Sequence, residues 1–265
     1  MRLETIDDPD DPRLASYREL TRAGRSPRQD VFVVEGALAV RQLIGSRFPV
    51  RSLLLGSGSV DDVRADVARL DDATPVYVAS RATLREVTGF HFHGGHLALG
   101  ERRPEPAVAD LLAPPGDRAV VVMERLTNPD NVGGVLRNAA TFGAAAALLS
   151  PGCADPLYRR AIRVSMGGAL VVPFATLPDW PGDLARVRDA GYTLVALTPR
   201  ADATDIARVA ARRVAVLVGH ESDGLGAPTL AEADVAARVP MAPGADSLNA
   251  AAASAVALHR LTAWK

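Results

Sequence analysis

The amino-acid sequence predicts an α/β fold in two parts, and three observations carry that reading. Apolar runs of strand length alternate with stretches of helical period along most of the chain. A stretch with four prolines and little periodicity, ERRPEPAVADLLAPPGDR over 101–118, interrupts the alternation as a linker does. Beyond it, AVVVMERL reads as a buried-strand run and opens a second series in which a parallel sheet is expected. The parts are residues 1–103, a linker over 104–117, and residues 118–265.

Taken in order, residues 1–28 carry two Asp-Pro steps and then Arg18, Arg22, Arg25 and Arg28, spaced by three or four so that they would line one side of a short helix. A solvated helix face explains such spacing more simply than a basic patch does. VFVVEG from 31 reads as a strand, ALAVRQLIG as a helix, VRSLLLG as a strand, VDDVRADVARL as a helix and TPVYVAS as a strand. In HFHGGHLALGERR, His91, His93 and His96 lie close together but without a cysteine beside them, and no metal site is inferred. After the linker, AVVVMERL leads directly into NPDNVGGVLRNAA. AAAALLS is the next strand, and LYRRAIRVSMGG places Arg159 and Arg163 at i,i+4, a basic helical face expected near the first site. GYTLVALTP, RVAVLVG and VAARVPM are further strands, and the alanine-rich helix SLNAAAASAVALHRLTAW closes the sequence.

Composition narrows the function. With 265 residues, 48% hydrophobic and 23% charged, the chain has the balance of a globular protein that buries a core. The net charge of -1 supplies no overall positive field, yet of 30 basic residues only Lys265 is a lysine, so an anion site here would use guanidinium, which grips phosphate through two donors. The single cysteine, Cys153, rules out an intramolecular disulfide and a cysteine-based zinc site and fits a reducing cytoplasm. No apolar run approaches the 18 or so residues of a membrane span, and the acidic N-terminus has no signal-peptide core.

NPDNVGGVLRNAA, residues 128–140, is the stretch most like a site. Asn131 is positioned to cap a helix, and Val132, Val135, Leu136, Ala139 and Ala140 recur at helical spacing. Gly133 and Gly134 each cost about 1 kcal/mol in a helix relative to alanine, which points to close approach to the backbone. Arg137 lies on the same face, an arrangement that suits a phosphate. Two strand exits match it in character. RVAVLVG runs into GHESDGLG, where Gly219 would let a ligand lie on the backbone, Gly224 permits a tight turn and Glu221 stands between. VAARVPM runs into APGADSLN, where Ser247 or Asn249 caps the last helix. In a parallel sheet, ligands bind at such carboxyl ends. Neither loop fits a dinucleotide or Walker motif, and apolar Val239, Met241 and Leu248 beside main chain suit an adenine-sized ligand.

Together, NPDNVGGVLRNAA, LVGHESDGLG and VPMAPGADSLNAA, in that order, resemble the three signature motifs of the SpoU (TrmH) family of RNA 2′-O-ribose methyltransferases, over roughly residues 118–265. FVVEGALAVRQL and TGFHFHGGHLAL are similar to the ribosomal-protein-like domain that binds substrate in many members. The resemblance implies a parallel sheet with a deep trefoil knot, an exception to the usual absence of knots, preceded by a smaller α-β-α substrate-binding domain. It implies S-adenosylmethionine as cofactor, held at Gly219, Val239, Met241, Leu248 and Asn249, with Leu197 and Thr198 from LVALTP. It assigns Asn131, Arg137 and Glu221 to the active site and implies RNA as partner and a cytoplasmic homodimer that needs neither metal nor membrane. The linker and the arginine spacing make Arg18, Arg22, Arg25, Arg28, Arg159 and Arg163 the expected contacts to that RNA. Two positions depart from the family pattern: Ala251 stands where a serine is usual, and His259-Arg260 replaces a Tyr-Glu pair. Arginine ordinarily stays protonated, so Arg137 reads either as a base in an unusual setting or as a clamp on the neighbouring phosphate. The competing reading is a non-catalytic RNA-binding protein that retains the knotted fold.

Overall fold

The computed structural model describes residues 3–22, 30–89 and 94–262, which fall into two compact units. One comprises residues 1–104 with 157–171, the other 105–156 with 172–265.

The first unit is built on a five-stranded mixed sheet of β1 (Leu3–Thr5), β2 (Val31–Glu35), β3 (Val50–Gly56), β4 (Val76–Ala79) and β5 (His96–Glu101), in the order β1-β4-β3-β5-β2. β5 runs antiparallel to both of its neighbours, while β1 and β3 run parallel to β4. Its core gathers Ile6, Leu14, Tyr17, Val33, Leu54 and Leu97. The strand β5 emerges from the segment that drew notice for its histidines. His96 is 4% exposed and its Nε2 lies 3.1 Å from the Ser59 carbonyl and 3.2 Å from Asp62 Oδ2, so this ring serves the fold. His91 and His93 lie outside the described residues.

The second unit carries a seven-stranded sheet of β6 (Arg118–Met123), β7 (Ala146–Leu149), β8 (Phe174–Thr176), β9 (Thr193–Leu197), β10 (Thr204–Asp205), β11 (Arg213–Val218) and β12 (Val235–Arg238), all parallel, in the order β10-β12-β9-β11-β6-β7-β8. β6 and β11 are buried along nearly their whole length, which is why both read as unbroken apolar runs. The chain lays β7 and β8 on one side of β6, crosses to β9, and then inserts β11 between β9 and β6. Val218 and Met123 are therefore side by side at the strand ends, and the chain leaves both strands at one place.

Two expectations about boundaries are corrected. The segment 104–117 is more than a linker: it holds the helix Val108–Leu112, whose Leu112 is 2% exposed in the core of the second unit. Arg213 fixes it further, donating to the carbonyls of Leu112 at 2.7 Å and Pro114 at 2.9 Å while its guanidinium lies 4.3 Å over the Tyr192 ring. Residues 157–171 belong with the first unit, not with the sheet that surrounds them in sequence. The helix Arg159–Val164 packs on β2, Arg159 Nη1 lies 3.5 Å from Glu35 Oε2, and a Cβ at Gly167 would strike the Gln42 side chain. Among the described residues no helix is long and apolar enough to cross a membrane, and no group of His, Cys, Asp and Glu is placed to hold a metal.

Candidate active site

Glu221 is the centre of the site. It lies in the loop after β11, where His220 and Gly224 exchange backbone hydrogen bonds of 3.0 and 2.9 Å and Gly224 adopts the φ of +68° that the tight turn demands. Its Oε1 accepts from Asn128 N–H at 3.0 Å and from Asn131 Nδ2 at 2.9 Å, and Oε2 accepts longer contacts from the backbone and hydroxyl of Thr127 at 3.4 and 3.5 Å. Partial burial alone would raise the carboxyl pKa. The Asn131 amide and the backbone N–H donors outweigh it and hold the pKa below its ordinary value.

The network continues to the third loop, where Asn249 Nδ2 donates to Asn131 Oδ1 at 2.7 Å while Asn249 Oδ1 caps the helix Ala250–Leu261 by accepting from the N–H groups of Ala251 and Ala252. The exits of β6, β11 and β12 are thus tied by one chain of hydrogen bonds through Glu221, Asn131 and Asn249. Asn131 is 6% exposed and sits inside its helix. The expectation that it caps is corrected: the helix is Pro129–Thr141, and Asn128 caps it by accepting from Asp130 N–H at 2.9 Å. Proline at the first helical position already pointed one residue upstream.

Beside this network is a cavity of about 460 Å³. All seven residues expected at the cofactor line it: Leu197, Thr198, Gly219, Val239, Met241, Leu248 and Asn249. Leu225, Leu230 and Ala253 add apolar wall. Its size and lining suit a nucleoside. Among the described residues the backbone N–H groups of Val239 and Met241, in the irregular segment after β12, have no backbone partner, leaving main chain available to the edge of a base.

Residues 118–259 match the model of the SpoU rRNA Methylase family. The chain belongs to that family. The SpoU chain is 41% identical to an uncharacterised tRNA/rRNA methyltransferase of Mycobacterium tuberculosis, across 98% of its own length and 92% of the relative's. It is 30% identical to the 23S rRNA (guanosine-2'-O-)-methyltransferase of Acinetobacter baylyi, over 69% of its own length and 76% of that protein. In structure it resembles an AdoMet-bound rRNA methyltransferase from Sinorhizobium meliloti, with a TM-score of 0.80 and 26% identity over 97% of each chain.

The glycines of the SpoU motifs have reasons the sequence did not reveal. A Cβ at Gly219 would lie 2.2 Å from the backbone of Gly224 and Leu225, so this glycine admits the return of its own loop, while its backbone also lines the cavity. A Cβ at Gly134 would lie 2.6 Å from Ala251 Cβ, so what approaches it is the C-terminal helix, not a phosphate. Asn138 fastens the same crossing, donating to Ala251 O at 2.6 Å and bonding Ser254 Oγ at 3.0 Å. Ala251, where the family pattern has serine, packs within this helix contact.

Arg137 is exposed on the helix Pro129–Thr141, and its guanidinium makes no hydrogen bond or ion pair with any described residue. Of the arginines expected at RNA, Arg18 is engaged by the carbonyls of Pro9, Asp10 and Asp11, Arg159 faces Glu35, and Arg163 is exposed. Arg22 ends the helix Ala15–Arg22, and Arg25 and Arg28 lie outside the described residues. Because residues 157–171 group with the first unit, Arg159 and Arg163 are not placed on the sheet that carries the site. Sequence reasoning missed Glu124, 5% exposed, whose carboxylate accepts from Trp180 Nε1 at 3.1 Å and Gly226 N–H at 3.0 Å, bracing the β6 and β11 exits. Cys153 donates to the Met123 carbonyl at 3.3 Å, and burial pushes its thiol pKa up, away from the range of an activated nucleophile.

Proposed function

We propose that this chain transfers a methyl group from S-adenosylmethionine to a ribose 2′-hydroxyl of ribosomal or transfer RNA. The observation that carries this reading is the hydrogen-bonded chain Glu221–Asn131–Asn249, which fixes three motif loops around a nucleoside-sized cavity. Family membership and the methyltransferase activities by which the A. baylyi and M. tuberculosis relatives are named support it. When bound, S-adenosylmethionine would supply an electrophilic methyl on a sulfonium and leave as the neutral thioether, and the residues of this chain would hold the 2′-hydroxyl, whose proton would pass to phosphate or water.

The protein's part is positional. Leu197, Thr198, Val239, Met241 and Leu248 would hold the adenosine portion through apolar contact and main chain, and Gly219 would shape the loop beside it. Glu221, ionised and saturated with donors, does not take the proton. It orients Asn131, whose helix presents Arg137 outward, where the planar guanidinium would clamp the phosphate beside the reacting ribose. The same reading includes the trefoil knot, a cytoplasmic homodimer whose sites are completed across the interface, selection of RNA by residues 1–103, and no metal.

Unmodified ribosomal and transfer RNA transcripts incubated with the protein and methyl-labelled cofactor test it. Label should enter, and alkaline cleavage should be blocked 3′ of one or a few nucleotides, the signature of a 2′-O-methyl group. Label on a base with full alkaline cleavage would refute ribose transfer.

A further inference from the structure

Arg125 has a backbone conformation that its side-chain type does not favour. Its φ is +48°, in the left-handed region that costs a residue bearing a Cβ and that glycine enters freely. The chain enforces it from several sides. Arg125 N–H donates to Ser150 Oγ at 2.9 Å, and Ser150 is 2% exposed. The preceding Glu124 is braced by Trp180 and Gly226, and the following Leu126 is fully buried. Glycine would make this turn without strain.

That side chain is 49% exposed and meets one carboxylate, Asp223 Oδ2, at 3.8 Å. Asp223, itself 67% exposed, lines the cavity whereas Arg125 does not, so the guanidinium stands outside the cavity wall, two residues before the Thr127–Asn128 segment that grips Glu221. An exposed pair at that distance is weakly held. A phosphate oxygen pair meets the same fork of donors at closer range and through two bonds. Outliers of this kind concentrate at functional sites, where surrounding structure holds them.

We propose that Arg125 binds a phosphate of the RNA strand entering the site, with Asp223 holding the guanidinium in place until that phosphate displaces it. The proposal rests on the reading of the chain as an RNA methyltransferase and adds a substrate contact outside the three motifs. It makes strain and binding separable. Arg125→Gly removes both the strain and the guanidinium, Arg125→Ala only the guanidinium, and Asp223→Asn only the competing charge.

The test measures binding of unmodified ribosomal and transfer RNA transcripts across a salt series, cofactor affinity by calorimetry, and thermal melting. Both Arg125 variants should bind the bound transcript about 10-fold more weakly, the scale of one charge-assisted hydrogen-bonded contact, with a salt slope shallower by about 0.7 to 1, as for one lost phosphate. Asp223→Asn should bind RNA more tightly. Cofactor affinity should not move in either Arg125 variant, because Arg125 lies outside the cavity lining, and Arg125→Gly should melt at a higher temperature than the parent. A higher melting temperature with RNA affinity and slope unchanged would overturn the proposal, leaving Arg125 as strain alone. Weakened cofactor binding with intact RNA binding would overturn it in favour of a cofactor contact. If the unaltered protein binds neither transcript, the functional reading itself fails and the proposal with it.

Discussion

At the scale of single residues, the site separates a rigid anchor from a free cation. Glu221 is the anchor, and its lowered pKa gives a signed expectation. A carboxyl whose folded pKa lies below its unfolded value adds stability that is present above the unfolded value, 4.5, and is lost as pH falls through the folded one. Stability of the parent should therefore fall more steeply below pH 4.5 than that of Glu221→Gln, measured by denaturant melts across an acid series. Parallel curves would mean that the Thr127, Asn128 and Asn131 donors add nothing to the ionised state. Arg137 is the cation, with no described partner to lose. Arg137→Ala should leave folding and S-adenosylmethionine affinity within a few-fold of the parent while slowing single-turnover methylation by about 10²-fold or more, the scale of a lost electrostatic group. Near-parental methylation by that variant would reduce Arg137 to a surface residue. All seven expected cofactor residues surround one cavity, because chain spacing within a motif survives folding into a loop. The roles of Gly219 and Gly134 were not legible. A glycine in sequence announces close approach without naming what approaches.

At the scale of elements, the crossing of Pro129–Thr141 with Ala250–Leu261 ties the first motif to the third. Gly134→Ala would gain about 1 kcal/mol of helix propensity, but its Cβ meets Ala251 Cβ at 2.6 Å, and overpacking of that kind costs about 1–3 kcal/mol. The variant should be destabilised. Adding Ala251→Gly should recover part of the loss, so that the pair is more stable than the sum of the single changes, as read from a double-mutant cycle. Additive effects would show that the helices separate freely. Long strands such as β6 and β11 were legible because burial on both faces makes them apolar throughout. The three-residue β8 and two-residue β10 are too short to display a period. β5, read as a histidine-bearing segment, was obscured by its own glycine and polar ends.

At the scale of the whole molecule, helical period shows that Arg159–Val164 has an apolar face but not which core that face joins. Read in sequence, 118–265 is one block; in space, 157–171 groups with the first unit and 105–117 with the second. A fragment of residues 105–265 should keep cofactor affinity within a few-fold, because every residue lining the cavity falls between Leu197 and Ala253. It should also self-associate, since the apolar segment 157–171 loses the unit it groups with, and replacing 157–171 by a short Gly-Ser linker should restore a monodisperse fragment without changing affinity. Starting instead at 118 removes Leu112 from the core and takes the carbonyls of Leu112 and Pro114 from Arg213. Loss of one buried leucine alone is worth about 1.5–3 kcal/mol, so that shorter fragment should melt well below 105–265. Calorimetry and thermal melting on the three fragments decide the matter: equal melting from 105 and from 118 would restore the linker, and a folded 105–265 that fails to bind S-adenosylmethionine would show that this cavity is not its site.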